Sequence, residues 1–507
     1  MAQRATHVSV RALLMAQLLL AALGRDDGLA RTPPMGFSTW YAFGANLNET
    51  RVIQMADAIV STGLRDAGYR FVNLDDAWLS PSRDRLGNIQ GDPVRFPSGI
   101  KWLADEMHSR GLLLGLYGCP GVRTCEGYPG QFEHEFQDAA TIAAWGVDFW
   151  KADNCWQKWA VVDTYTPDLF NGSFPAGSEA AVRQFLHQRE FGLNVRGLSA
   201  AGDDAAPIDW AGVSGLPLFL PDTCPPEGGR QMGDPTGHQL QQWEAYRLFG
   251  EALLATGRNV TYSICPFISG CDASVFNYYK NYSHMSMNQC PQVDNTDTWA
   301  SFILHLDSNN YVPSRSVALA RAAAAGPGYW NDLDMLMIGY KLLKAWEPRQ
   351  TLAEYRSQYS LFAVLAAPLI FSADIRGTES FNQWTNDTAS VLLNLAVIAV
   401  SQDPLGQQGI LVANLTADVE LYRRSLADGG LALAVLNRAA APLPAALNVS
   451  WAQAGGIPAG WAVAGVSDLW RGAAVSFSDE GFVADAIDTH DTMLLRVNLT
   501  KRNEAGA

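Results

Sequence analysis

Gly146-Val-Asp-Phe-Trp-Lys151-Ala-Asp153-Asn-Cys155 is the stretch of this 507-residue chain on which the fold turns. An apolar run closes on a lysine and an aspartate two residues apart. Alternation along a strand sends both side chains to one face. A cation beside a carboxylate favours its ionised form, the state a nucleophile needs. A plain structural ion pair would leave the same trace, so the motif gains its meaning from other predicted strands that also end in acids.

Working outward, strand-like runs fall at residues 35–40, 69–75, 112–117, 147–153, 260–265, 292–294, 329–334 and 368–374. Helical patterns separate them at 51–66, 100–110, 136–144, 239–256, 298–306, 352–366 and 390–401. Such repeated strand–helix alternation predicts an α/β fold, a (β/α)8 TIM barrel over residues 31–403. A doubly wound open sheet is the competing architecture, but no Gly-x-Gly-x-x-Gly follows the first strand. A Pro-, Gly- and Asp-rich insertion at about 160–235 interrupts the pattern after the fourth strand, where long loops are more often functional than structural. Past residue 404 the pattern turns to short alternating runs (419–423, 431–436, 462–468, 481–486 and 492–497) with Gly- and Pro-rich turns. Residues 404–507 therefore read as an antiparallel β-sandwich.

Composition narrows the function classes. Hydrophobic residues make up 48% and charged residues 17%, as expected of a chain with a large core. The net charge of −15 argues against nucleic-acid and anionic-membrane partners. Sixteen Trp and sixteen Tyr fill cores, and they also serve as platforms for sugars. Arg4 and Arg11 precede an apolar run too short to span a bilayer, so residues 1–24 read as a secretory signal peptide. Asn-x-Ser/Thr sequons at Asn48, Asn171, Asn259, Asn281, Asn386, Asn414, Asn448 and Asn498 agree with a glycoprotein of the secretory pathway, extracellular, vacuolar or lysosomal. Seven cysteines allow up to three disulfides. Both monomer and homodimer fit the sequence.

In a barrel, the C-terminal strand ends share one pocket. Here they supply Trp40, Asp75, Asp76, Tyr117, Lys151, Asp153, Asp294, Asp332, Asp334 and Asp374. Singly, each aspartate could be a helix cap or a turn. Together around one mouth they are costly unless they serve a ligand. Metal-dependent hydrolysis is the weaker reading, because the eight histidines show no His-x-His or His-Glu-x-x-His spacing. Two carboxyl groups amid hydroxyl-binding acids and aromatic walls suit glycoside hydrolysis, with no metal and no cofactor.

The same residues carry a family resemblance. Pro33-Pro-Met-Gly-Phe-Ser-Thr-Trp40, Val72-Asn-Leu-Asp75-Asp76-Ala-Trp78, Phe96-Pro-Ser-Gly-Ile-Lys101 and the Gly146–Cys155 stretch resemble glycoside hydrolase family 27. That family holds α-galactosidases (melibiases) and α-N-acetylgalactosaminidases. Ala325-Gly-Pro-Gly-Tyr-Trp-Asn-Asp-Leu-Asp-Met335, Glu354-Tyr-Arg-Ser-Gln-Tyr-Ser360 and Val397-Ile-Ala-Val-Ser-Gln-Asp-Pro-Leu-Gly-Gln-Gln-Gly409 extend the likeness to about residue 410. The resemblance implies Asp153 as nucleophile and Asp294, in Val293-Asp-Asn-Thr-Asp-Thr-Trp299, as general acid/base, with Asp297 as its rival. A retaining pair of this kind stands roughly 5–5.5 Å apart with diverging pKa values. Asp153 is then expected to be held low by Lys151, and Asp294 to be raised.

By the same resemblance Asp75, Asp76 and Lys151 hold sugar hydroxyls, Trp40 and Tyr117 form the apolar wall, and Asp334 is a further pocket acid. Cys125 and Cys155 match a family disulfide beside the pocket. Two departures concern the sugar's C2: Cys265 or Pro266 stands where the family has a glutamate, and Cys290 where it has an arginine. A Cys265–Cys290 disulfide would account for both. A further family disulfide is replaced by Ala45 and Ala77, and the pairing of Cys119, Cys224 and Cys271 is open. The implied activity is a retaining exo-glycosidase on a terminal galactose-like sugar of a carbohydrate. The sugar itself stays open among α-galactoside, α-N-acetylgalactosaminide and β-L-arabinopyranoside, with a non-catalytic carbohydrate-binding protein as the other class.

Overall fold

The structure, a computed structural model, describes residues 27–155, 237–266, 279–287, 294–310, 314–339, 349–376 and 384–502. The predicted signal segment, the 160–235 insertion, Asn171, Cys224, Cys271 and Cys290 lie outside the described residues. The Cys265–Cys290 pairing is therefore not observable.

Eight parallel strands run β1 (Met35–Ser38), β2 (Phe71–Asn73), β3 (Leu113–Gly118), β4 (Phe149–Ala152), β5 (Thr261–Ile264), β6 (Met285–Ser286), β7 (Trp330–Asn331) and β8 (Leu369–Phe371). They pair in the order β7-β6-β5-β4-β3-β2-β1-β8. A parallel bridge between Leu336 and Phe371 closes the ring between the segment after β7 and β8. Closure into a barrel leaves no strand edge within this sheet.

Alternation sorts the side chains into two sets. Phe37, Val72, Leu114, Leu116, Trp150, Tyr262, Ile264, Leu369 and Phe371 point outward and pack under the helices in one large core. Phe149, Met285, Trp330 and Ile370, with Phe71 beside them, fill the barrel interior. Phe71 and Phe149 meet there with ring centroids 5.4 Å apart. On β3 the interior position is Gly115, where a Cβ would overlap the Asn73 carboxamide and crowd Phe149. Above this plug the same parity carries Asp75, Tyr117, Lys151 and Asp153 toward the C-terminal mouth.

Two expectations need correcting. The sixth strand is Met285–Ser286, not residues 292–294, and Asp294 sits on the loop beyond it. Burial decides this: Met285 and Ser286 are both buried, whereas Asp294 is exposed. The last predicted helix is two, Asn386–Leu392 and Leu395–Ser401, because Leu393 ends the first and Asn394 caps the second. The helix Arg315–Ala324 between β6 and β7, unpredicted, starts at a Ser314 cap.

The C-terminal part adds β9 (Ile410–Asn414), β10 (Val419–Ser425), β11 (Leu431–Asn437), β12 (Leu447–Ser450), β13 (Trp461–Asp468), β14 (Ala473–Ala474), β15 (Gly481–Ala484) and β16 (Thr492–Lys501). A six-stranded antiparallel sheet, β14-β13-β16-β11-β10-β9, faces the pair β12-β15. β11 is buried along its whole length because both faces are covered. Ala432, Ala434 and Leu436 join the barrel's core, while Leu431, Leu433 and Val435 join the core of the sandwich. Between the two parts lies the helix Leu352–Val364, buried from Ser357 to Val364. Arg438 braces the contact by pairing with Asp307 at 2.8 Å and Glu420 at 2.6 Å. Among the described residues no helix is long and apolar enough to cross a membrane.

Candidate active site

Each strand end delivers its side chain to the mouth by a local device. After β2 the chain turns sharply, with Ala77 at φ +72°, a conformation that strains a residue bearing a Cβ. That turn buries Asp75 and Asp76 side by side. The Asp75 N–H donates to Thr39 Oγ1 at 2.9 Å. Asp76 accepts the N–H groups of Ala77 (2.7 Å) and Glu126 (2.9 Å). Burial pushes the Asp76 carboxyl up to about 6 against these donors.

Lys151 donates to Asp75 Oδ2 at 2.8 Å, and its ammonium lies 5.4 Å from the Tyr117 ring centroid. Lys151 thus hydrogen-bonds to Asp75 and reaches Asp153 through its charge. Desolvation works against the ammonium, but Asp75 and then Asp153 outweigh it and hold its pKa well above the ordinary lysine value. The donors on Asp153 are the Tyr117 hydroxyl, 2.8 Å from Oδ2, and the Asn154 N–H, 2.8 Å from Oδ1. Tyr117, read from sequence as wall alone, therefore also orients this carboxylate.

A disulfide joins Cys125 to Cys155 (Cα–Cα 5.1 Å) and ties the loop after β3 to the end of β4. Cys125 Sγ lies 3.7 Å from Asp153 Oδ2. Beneath it, buried Cys119 donates to Cys155 O at 2.7 Å and accepts its N–H at 3.1 Å. Cys125, Asp153 and Cys155 are close enough together to suggest a metal site. With both sulfurs in a disulfide, neither offers the thiolate that binds a metal.

Asp294 reaches solvent at the rim. The walls of the cleft still desolvate it, and this raises its carboxyl above the ordinary value. Asp334 adds to the rise, Lys151 opposes it, and Asp153 and Asp75 add further. These electrostatic partners put Asp294 over the same mouth as Asp75, Lys151 and Asp153. Asp334 adopts φ +69°, a strained geometry of the kind that clusters at functional sites. Its Oδ2 accepts the Tyr41 hydroxyl at 3.1 Å and the Asn295 N–H at 2.9 Å. Buried Asp332 accepts the Asp334 N–H at 3.0 Å, and burial, reinforced by Asp334, pushes its carboxyl up to about 7. Asp374 is neutralised by Arg376, which itself lies on Phe43. Trp40 opens a short helical turn after β1 and packs on the interior cluster. At the end of β5, Cys265 is buried and its carbonyl accepts the Tyr246 hydroxyl at 3.0 Å.

Tyr41, Asn295, Thr39 and Tyr246 went unread in the sequence. Tyr41 could have been suspected from its place beside Trp40. Tyr246 lies within a long helix and leaves no local signal.

An eight-stranded barrel whose mouth gathers two differently housed carboxylates among further acids and aromatic rings defines a barrel glycoside hydrolase. The family model for α-galactosidase A matches residues 32–169 and 233–403, and that for the α-galactosidase C-terminal β-sandwich domain matches residues 416–497. The chain belongs to this α-galactosidase (melibiase) family, glycoside hydrolase family 27. It is 34% identical to α-galactosidase 3 of Arabidopsis thaliana over 92% of this chain and 82% of that one. It is also 31% identical to α-N-acetylgalactosaminidase of Gallus gallus, covering 89% of each. In fold it is similar to α-galactosidase I of Mortierella vinacea, with a TM-score of 0.68 and 24% identity over 93% of this chain and 98% of that one.

Proposed function

We propose that this enzyme is a retaining exo-glycosidase that releases terminal α-D-galactosyl residues from oligosaccharides or glycoconjugates. Asp153 attacks the anomeric carbon and forms a covalent glycosyl-enzyme, while Asp294 gives its proton to the departing glycosidic oxygen. Water then attacks the anomeric carbon, Asp294 takes the proton, and the carboxylate of Asp153 leaves. The observation that carries this reading is the contrast between the two acids. Asp153 is held by two hydrogen-bond donors, whereas Asp294 has its carboxyl raised by desolvation and neighbouring acids. A raised acid keeps its proton at the pH where its partner is ionised.

Asp75, Asp76 and Lys151 would bind the hydroxyls of the galactose-like sugar, with Trp40 as its apolar wall and Asp334 bracing the rim. A second reading, altered recognition at C2, is favoured by Cys265, which directly follows β5 and offers no carboxylate there. The test is initial rates on aryl α-D-galactopyranoside, α-N-acetylgalactosaminide and β-L-arabinopyranoside near pH 5. Turnover of the galactoside with a loss of about 10³-fold or more in Asp153→Asn supports the proposal. A preference for either other glycoside establishes the second reading instead, and unchanged turnover in Asp153→Asn removes the nucleophile assignment. Passage through the secretory pathway is proposed with it. Asn414 and Asn448 are exposed sequons of the sandwich, so peptide mapping after glycosidase treatment in H₂¹⁸O should find both deamidated and labelled.

A further inference from the structure

The segment just after Asp294 is held at two points, and only one belongs to the barrel mouth. On the near side Asn295 donates its N–H to Asp334 and its carboxamide to Met335 O at 3.0 Å. On the far side Asp297, fully buried, accepts the Tyr355 hydroxyl on Oδ2 at 3.0 Å. The preceding residue on that helix, Glu354, accepts the Thr351 N–H on Oε2, and its Oε1 lies 2.6 Å from His490 Nδ1. An ionised carboxylate only accepts, so Nδ1 is the donor. The His490 imidazole lies flat against Trp299, with centroids 4.3 Å apart and planes 12° off parallel. Trp299 begins the helix that follows Asp297. The path thus closes on itself: Asp297, Tyr355, Glu354, His490, Trp299 and back along the chain.

His490 comes from the sandwich, between β15 and β16. It stands at φ +58°, where a non-glycine backbone is strained. Its surroundings enforce that geometry: its carbonyl accepts the Ser357 hydroxyl at 2.6 Å, and neighbouring Asp491 pairs with Arg356 at 2.7 Å. Adhesion between the two parts does not require this ring, because Arg438, Asp307 and Glu420 already clamp them together elsewhere. Its distinguishing feature is the loop it ends on. Catalytic groups lose rate steeply when displaced by even about 1 Å.

We propose that His490 of the sandwich is a positioning residue for Asp294, fixing the far side of its loop through Trp299 and through Glu354, Tyr355 and Asp297. The proposal rests on Asp294 being the acid/base. Loss of general-acid positioning shows as dependence on the leaving group: a dinitrophenolate departs without a proton, whereas a sugar alkoxide does not. The measurement is kcat/KM of the full chain on dinitrophenyl α-galactoside and on an α-galactosyl disaccharide, for His490→Ala and for Tyr355→Phe. Asp294→Asn serves as reference.

The expected result is a loss of roughly 10–100-fold on the disaccharide in both variants, with less than about 3-fold on the activated substrate. Equal losses on both substrates, or none on either, overturn the proposal. If His490→Ala does not fold, Tyr355→Phe, which removes a single hydroxyl, decides alone. If Asp294→Asn discriminates between the substrates and Tyr355→Phe does not, the positioning proposal fails while the acid/base reading stands. If Asp294→Asn itself fails to discriminate, the acid/base reading falls and takes this proposal with it.

Discussion

Asp153 takes its orientation from a phenol rather than from the lysine two residues before it. The Tyr117 hydroxyl donates to Oδ2, and the Lys151 ammonium is turned to Asp75. Because a hydrogen bond to a charged group contributes about 1.5–3 kcal/mol, Tyr117→Phe should lower kcat/KM on aryl α-galactoside roughly 10–100-fold. The ring and its packing stay, so the melting temperature should move little. Differential scanning fluorimetry beside the rate measurement checks both halves, and a variant with full activity would show that the Asn154 N–H orients Asp153 unaided. As the proposed acid/base, Asp294 is expected to set the pH dependence. Its carboxyl is raised, so the proton needed by the leaving oxygen is present below that raised pKa and lost as pH climbs through it. The alkaline limb of kcat/KM should therefore lie above the ordinary aspartate range, and a profile still rising at pH 8 would contradict the assignment. The acids at the strand ends were legible because strand parity and chain position locate them. Their partners were not, since Tyr117–Asp153 and Asn295–Asp334 join residues far apart in sequence.

At the scale of elements, the strands most easily read were those with a continuous apolar run before an acid, such as Phe149–Ala152. β6 escaped because it is two residues long and its neighbours, Tyr282 to Met287, alternate too briefly to stand out. The acid at Asp294 drew the predicted strand toward itself, although a catalytic residue on a loop needs no strand beneath it. β9 and β12 were missed for a related reason: exposed or half-buried strands carry weak alternation. Glycine at a strand interior, by contrast, has a mechanical meaning here. Gly115 makes room for the Asn73 side chain within the barrel, so Gly115→Ala should push β2 and β3 apart. Overpacking of this kind costs about 1–3 kcal/mol. Urea denaturation should register that loss as a lower midpoint. A wild-type midpoint would mean that the interior plug yields more easily than its packing suggests.

For the whole molecule, several acids outside the proposed catalytic pair are buried with raised carboxyls. Burial pushes Asp76 up to about 6, and Asp297 and Asp332 up to about 7. In the unfolded chain each titrates near the ordinary value for aspartate, about 3.9. Between that value and the raised one the folded state holds more protons than the unfolded state, so stability falls as pH rises. The contribution is complete below the unfolded pKa and is spent once pH has passed about 7. Acids of the opposite kind, Asp66, Asp84, Asp92 and Asp428, have lowered carboxyls and lie nearer the surface, so they act only below the ordinary aspartate range and weakly. Opposed in this way, the two sets place the stability maximum in moderately acidic solution. The melting temperature should be higher at pH 5 than at pH 8 by several degrees, since about 1 kcal/mol moves the midpoint of a large domain by roughly 2–4 °C. Asp332→Asn, which stays neutral at every pH, should flatten that difference. If wild type and Asp332→Asn show the same pH dependence, Asp332 is not among the groups that set it.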